Sequence, residues 1–419
     1  MNQQPVHFAH DRNAHLLASP LLALDEGAAT ILVQDQVNPT IWSSLVIFIN
    51  GLPVLTFELK NSLTKQTLAD AIVQYQTTRS PQELLFQLGR CVAHIAVDDA
   101  EAAFCTELKG KASWFLPFNQ GWNSGAGNPP NPDGLKTDYL WKQVLTRESL
   151  ANIIESYAQV VEEEDQDASG RKRKRRKQIV PRYHQLRRVR ALLRRRRADG
   201  VGKRYLIQHS AGSGKSNTIA WLAHQLVELR RKDDPMTAQF DSIIVITDRR
   251  ALDTQIARTI KGYDHVAAIF GHSDNAQELR EYLRRGKKII VTTVQKFPFI
   301  LDELGDLSGK SFALLIDEAH SSQTGKSEKK VKAALADTEQ ALREYAELEG
   351  ELEDNEEDGQ DKIVKELITH GKQPNLSFFA FTATPKEKTL EMFGTRQPDG
   401  KFRPFHVYSM RQAIEEGFI

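Results

Sequence analysis

The residues best suited to chemistry lie where apolar runs meet polar turns. The run YLIQH (205–209) passes through SAGSGKS into a helical stretch, so Gly212-Ser213-Gly214-Lys215-Ser216 stands between a strand and a helix. Such a turn aims backbone N–H groups and the positive helix end at one point, which suits phosphate oxygens. Lys215 would reach the outer phosphates and the Ser216 hydroxyl would ligate Mg²⁺, making ATP with Mg²⁺ the expected ligand. The strict loop pattern has Gly where His209 stands, and the loop alone is compatible with an ordinary Gly-rich turn. A second group answers it, because the apolar run FALLID ends in Asp317-Glu318-Ala319-His320. A strand-end carboxylate lies at the edge where α/β sheets bind ligands. Asp317 would share the metal with Ser216, and Glu318 would orient an attacking water.

These groups need a sheet to hold them. YLIQH (205–209), SIIVIT (242–247), KIIVTT (288–293), FALLID (312–317) and LSFFAFT (376–382) are apolar runs rather than alternations. That suits strands buried on both faces, and the helical patterns between them imply a parallel, doubly wound sheet. Nearer the N-terminus, SLVIFI-NG-LPVLTFELK reads as a hairpin, since Asn50 and Gly51 tolerate positive φ. A helix-like segment at 66–78 and a strand at 91–97 complete a small α/β domain. Glu58 and Lys60 sit two apart on one strand and so face the same side. By itself, that pair is also what a solvated strand edge looks like.

At roughly 150 residues per domain, 419 residues suggest two or three domains. Hydrophobic residues at 40% and charged residues at 26% give an ordinary globular balance. Lys plus Arg total 56 against 55 Asp plus Glu, which excludes a uniformly basic coat or an acidic tail protein. Charge is nevertheless segregated. Residues 162–167 are acidic and 171–177 basic, with more arginines through Arg197, and 347–361 is acidic again. Like-charge runs repel themselves, so a linker is expected at 161–180 and an exposed acidic insertion at 323–372. The basic block 171–197 reads either as a solvated linker or as a phosphate-contacting element indifferent to sequence. Trp114, Trp122 and Trp141 read as core or loop anchors. Two cysteines, Cys91 and Cys105, exclude a disulfide scaffold or Cys-rich zinc site. No apolar run approaches the ~20 residues of a membrane span, and the N-terminus lacks signal-peptide order. The expectation is a cytoplasmic protein with no membrane partner.

The order of motifs resembles the first half of a superfamily 2 helicase motor. AGSGKS, VITDRRALDTQ (245–255), VTTVQKF (291–297), DEAH and FTATP (381–385) resemble that family's successive motifs. The resemblance implies that Thr382 and Thr384 couple the nucleotide to the nucleic-acid track, and that Gln185, within RYHQ (182–185), reads the adenine. More narrowly, RYHQ, QHSAGSGKS, DEAHSSQTG and FFAFTATP resemble the restriction subunit of type I restriction–modification enzymes. NGLPVLTFELKNS, LLFQLGRCVAHIAVDD, FLPFNQGWNSGAGNPP and TDYLW are similar to that subunit's nuclease region.

That resemblance implies an α/β chain: a PD-(D/E)xK-like nuclease domain (1–160), the charged linker (161–180), and one RecA-like doubly wound motor lobe (181–410). Residues 411–419 resemble the entry into a second lobe that is missing, so a truncated product is expected. Glu58 would hold Mg²⁺, Lys60 would steady the attacking water, and Gln74 would assist cleavage. Two departures stand out. Ser44 occupies the position of the family's aspartate, 14 residues before Glu58, with Asp35 and Glu26 as possible surrogates; and Gln74 and Tyr75 are adjacent rather than four apart. The implied function is a DEAH-box, ATP-dependent translocase of double-stranded DNA and Mg²⁺-dependent endonuclease, impaired in cleavage. It would act with separate methylation and specificity subunits. The alternative is a non-catalytic, DNA- or partner-binding remnant; a stand-alone helicase is disfavoured by the first domain.

Overall fold

A computed structural model describes residues 30–33, 44–166, 172–210, 212–247, 260, 270–273, 275–307, 309–317, 359–371 and 373–419. The chain divides into two compact units, one of residues 1–122 and 127–183, the other of residues 123–126 and 184–419.

The first unit is built on a mixed sheet in sequence order: β1 (Thr30–Val33), β2 (Ser44–Ile49), β3 (Leu52–Leu59), β4 (Ala93–Val97), β5 (Ala102–Cys105) and β6 (Leu116–Pro117). β2 and β3 form the hairpin expected from Asn50-Gly51, whose φ values of 51 and 79 meet the left-handed demand of a tight turn. β3 and β4 run parallel. Their crossover carries α1 (Leu68–Thr77), opened by a Thr67/Asp70 capping box. α1 lays Ala71 and Tyr75 against Phe86, Ala96, Cys105 and Leu108. α2 (Arg147–Ser156) follows, capped by the Thr146 hydroxyl. Trp141 is buried beside Phe57, whereas Trp114 and Trp122 are exposed, so only Trp141 meets the expectation of a core anchor.

The segment expected as a charged linker carries an antiparallel hairpin, β7 (Gln159–Gln166) with β8 (Lys172–Ile179). The register explains why like-charge runs pair: Glu162 stands opposite Arg176, Glu163 opposite Arg175, Glu164 opposite Lys174 and Asp165 opposite Arg173. Among the described side chains, Lys174 pairs with Glu162 across the ladder at 3.2 Å. The base is held by the Gln178 side-chain amide, which donates to the Cys91 carbonyl at 2.7 Å.

The second unit opens with α3 (Tyr183–Asp199) and β9 (Arg204–His209), then α4 (Lys215–Glu228), β10 (Ser242–Thr247), β11 (Phe270–His272), α5 (Ala276–Arg284), β12 (Ile289–Thr293) and α6 (Phe297–Asp306). β13 (Phe312–Asp317), α7 (Gly359–His370), β14 (Leu376–Thr382), α8 (Glu387–Phe393), the short pair β15 (Thr395–Arg396) and β16 (Phe402–Arg403), β17 (His406–Tyr408) and α9 (Met410–Glu415) complete it. Seven strands form one sheet in the order β11-β12-β10-β13-β14-β9-β17, with every neighbouring pair parallel. This is the helicase-like, RecA-type parallel sheet. Every residue of β10, β13 and β14 is buried, as continuous apolar runs require.

α7 corrects the C-terminal end of the expected exposed insertion. Ile363, Val364 and Leu367 are buried in the main core with Leu304, Phe312 and Phe378. Their i, i+1, i+4 spacing makes an apolar stripe inside an otherwise charged sequence. The acidic run before it lies outside the described residues. Among the described residues, no helix is long and apolar enough to cross a membrane.

Candidate active site

The carboxyl edge of the parallel sheet gathers most of the residues singled out for nucleotide chemistry. β14 lies between β9 and β13, with Thr382 level with Gln208 and Phe381 level with Asp317. The loop after β9 and the carboxylate ending β13 therefore flank Thr382 at one sheet edge. The Gln208 side-chain amide crosses to the Ala383 carbonyl at 3.2 Å, tying the two strand ends together. Thr382 and Asp317 are buried, and Thr384 is half-buried just beyond. Glu318 lies outside the described residues.

The loop itself is backbone-defined. Gly212 and Gly214 have φ of 70 and 75, values that a side chain would strain. Gly214 caps α4 and offers no side-chain acceptor to its first turn, a terminus suited to an anion. Lys215 and Ser216 open the helix, half-buried. The Ser213 hydroxyl is buried without a hydrogen-bond partner among the described residues. This chemistry fits a phosphate-bearing ligand, and Ser216 with Asp317 provide the hydroxyl and carboxylate oxygens that Mg²⁺ prefers.

The segment expected to recognise adenine touches this loop. The Gln185 side-chain amide donates to the Gly214 carbonyl at 2.9 Å, and His184 Nε2 lies 3.0 Å from the Ser213 carbonyl. His184 stacks on Tyr408 with ring centroids 4.0 Å apart. His209, where the strict loop pattern has Gly, is fully buried and lies 3.3 Å from His406. Burial, assisted by Arg188 and the neighbouring histidines, holds the His406 pKa well below its usual value. This supporting layer of His184, His406 and Tyr408 was missed from sequence, since nothing local marks a histidine as a neighbour of a loop far along the chain.

The first unit brings together the second set. Thr56 and Glu58 on β3 and Lys60 just past its end form one buried row, and α1 or the turn after it meets each member. Lys60 Nζ donates to Gln74 Oε1 at 2.7 Å, and Thr56 Oγ1 lies 2.8 Å from the Tyr75 hydroxyl and 2.8 Å from His94 Nδ1. Arg79, just past the end of α1, donates through Nε to Glu58 Oε1 at 2.7 Å. Glu58, Lys60 and Gln74 thus converge, although Gln74 and Tyr75 depart from the expected spacing. Arg79 was not anticipated. Ser44 is directly opposite Glu58 in the β2–β3 register; Asp35 and Glu26 lie outside the described residues. Burial lowers the Lys60 pKa, against the opposing pull of Glu58 and Asp70. The Tyr75 hydroxyl is pushed well up, by burial first and by Glu58 second. Burial depresses His94 to about 4.

The parallel sheet and this edge have the layout of a nucleotide-binding α/β lobe, and two stretches of the chain match known families. The SWI2/SNF2 ATPase family matches residues 184–341, and the family described as type I restriction enzyme R protein N terminus matches residues 45–113. Over those two stretches the chain is similar to helicase-like ATPases and to the N-terminal part of type I restriction enzyme R proteins. It is 24% identical over 385 residues to the Haemophilus influenzae type I restriction enzyme HindI endonuclease subunit, covering 89% of this chain and 32% of that protein. It is 22% identical over 382 residues to a Methanocaldococcus jannaschii protein described as the MjaIXP endonuclease subunit, covering 81% and 29% respectively. The chain thus spans about a third of the length of these relatives. A fragment structure described as an HsdR subunit from Vibrio vulnificus YJ016 aligns at 14% identity with a TM-score of 0.33, covering 94% of this chain and 54% of that one.

Proposed function

We propose that the chain is the ATP-dependent motor part of a cytoplasmic type I restriction subunit, acting on double-stranded DNA with separate methylation and specificity subunits. The observation that carries this reading is the parallel-sheet edge on which the β9–α4 loop, Thr382 and Asp317 occupy neighbouring strand ends. When bound, ATP with Mg²⁺ supplies the phosphoryl chemistry. The chain's own residues position it. Lys215 offers its ammonium to the outer phosphates, the first turn of α4 offers backbone donors, and Ser216 with Asp317 would hold the metal. Glu318 would orient the water. Gln185 would read the adenine, and its bond to the Gly214 carbonyl would link that recognition to the loop. Thr382 and Thr384 would pass the state of the nucleotide to the DNA track.

The PD-(D/E)xK-like reading of the first unit is supported by the convergence of Glu58, Lys60 and Gln74, but the donor set does not fit a catalytic Mg²⁺. Glu58 carries a guanidinium, and the position opposite it holds a neutral serine. The reading is therefore a motor joined to a cleavage-impaired domain. The test is an assay with the partner subunits. DNA-stimulated ATP hydrolysis lost on Lys215→Ala, without nicking of supercoiled DNA, is expected. Hydrolysis indifferent to Lys215→Ala would overturn the motor, and robust nicking lost on Lys60→Ala would overturn the impaired domain.

A further inference from the structure

We infer that Arg79 is the resident cation of the β3–α1 site, filling the electrostatic role of a metal so that restoring a carboxylate at position 44 does not by itself create a metal site. The inference rests on the nuclease-like reading of that face. The local sequence fixes Arg79 in place. Thr77 and Thr78 turn their hydroxyls back onto the Val73 and Gln74 carbonyls, each at 2.7 Å. Pro81 follows two residues on, and a proline disfavours helical backbone in the residue before it. The chain leaves α1 with Arg79 next to Glu58, and the pair is desolvated, with 18% of the Arg79 side chain and 2% of the Glu58 side chain exposed.

The rest of the row is closed in the same way, Lys60 by Gln74 and Thr56 by Tyr75 and His94. Glu58 is the one carboxylate of the row and faces two cations, Lys60 and Arg79. A divalent ion brought to Glu58 would meet the Lys60 and Arg79 cations beside it in a poorly screened setting. A hard cation also needs several oxygen ligands, and Glu58 already gives one oxygen to Arg79. A carboxylate introduced at position 44, opposite Glu58 in the register, would leave the guanidinium in place on Glu58. Opening the site requires both that carboxylate and removal of the guanidinium.

The experiment is Mn²⁺ binding to the full chain without nucleotide, read by electron paramagnetic resonance, for the unmodified protein, Ser44→Asp, Arg79→Gln and the double variant. Thermal melting of Arg79→Gln and of Glu58→Gln/Arg79→Gln is read alongside. Ser44→Asp should bind no more Mn²⁺ than the unmodified chain, and the double variant should gain one ion at least about tenfold more tightly. Arg79→Gln should lower the melting temperature, and Glu58→Gln/Arg79→Gln should recover most of the loss. Gain of the ion by Ser44→Asp alone would overturn the role of Arg79 while leaving the nuclease-like reading standing. No gain in any variant, with the thermal recovery intact, would overturn the nuclease-like reading itself. Failure of the thermal recovery would overturn the ion pair as the feature that closes the site.

Discussion

His94 gives the sharpest quantitative expectation, because it lies beside Thr56 of the buried row, on the neighbouring strand, and its protonation is opposed by burial. Its Nδ1 bonds Thr56, and its ring packs against Tyr75 and Phe86. Burial moves its pKa from 6.5 to about 4. The neutral ring is the form the fold accepts, so between these two values the unfolded chain binds more protons than the folded one. Stability is then fully present above the unfolded value and falls as pH drops toward 4. At 1.36 kcal/mol per unit, the whole shift corresponds to about 3 kcal/mol, of which about 2 kcal/mol is lost by pH 5. Urea unfolding at pH 7.5 and pH 5 measures this, with His94→Gln as the reference that removes the titrating ring and leaves every other group in place. The unmodified protein should lose about 2 kcal/mol more than the variant over that interval. Equal losses, or an NMR titration of the ring near 6.5, would refute the reasoning.

Gln185→Ala should weaken ATP binding by roughly three- to tenfold, the range of one net hydrogen bond, because the loop carbonyls at 213 and 214 lose a donor; competition against a fluorescent nucleotide reads this out. Burial pushes the Cys91 thiol up to about 11 and also raises Cys105. Both should therefore resist maleimide in the folded protein at pH 8 and label promptly after unfolding, as mass spectrometry would record. Glu162→Gln removes an exposed partner of Lys174 and should change stability by less than about 1 kcal/mol in denaturant melts, since such pairs are screened.

Local signals made much of this molecule legible. Asn50-Gly51 gave the hairpin, and the five apolar runs gave the central strands, since both follow from backbone preference and two-sided burial. β11 and β17 are only three residues long and carry no periodicity to read. The β7–β8 hairpin was hidden for a different reason. Along the chain its strands are blocks of like charge, and only the cross-strand register turns repulsion into pairing. α7 was obscured by its acidic context, although three apolar residues suffice to dock it. In the candidate sites, Lys215 and Asp317 stood out because their chemistry is local to a loop and a strand end. Arg79 and His184 did not, because each acts on a residue more than 20 positions away, through a helix end that only the fold places.

The central claim is that the β9–α4 loop and Asp317 form an ATP-Mg²⁺ site. Its most direct test is calorimetric titration of the chain with a slowly hydrolysed ATP analogue and Mg²⁺, alongside Lys215→Ala and Asp317→Asn. Saturable binding of one nucleotide per chain, weakened at least about tenfold (about 1.4 kcal/mol) by Lys215→Ala and made insensitive to Mg²⁺ by Asp317→Asn, is the predicted result. Absence of binding by the unmodified chain, or binding that neither substitution disturbs, would contradict it.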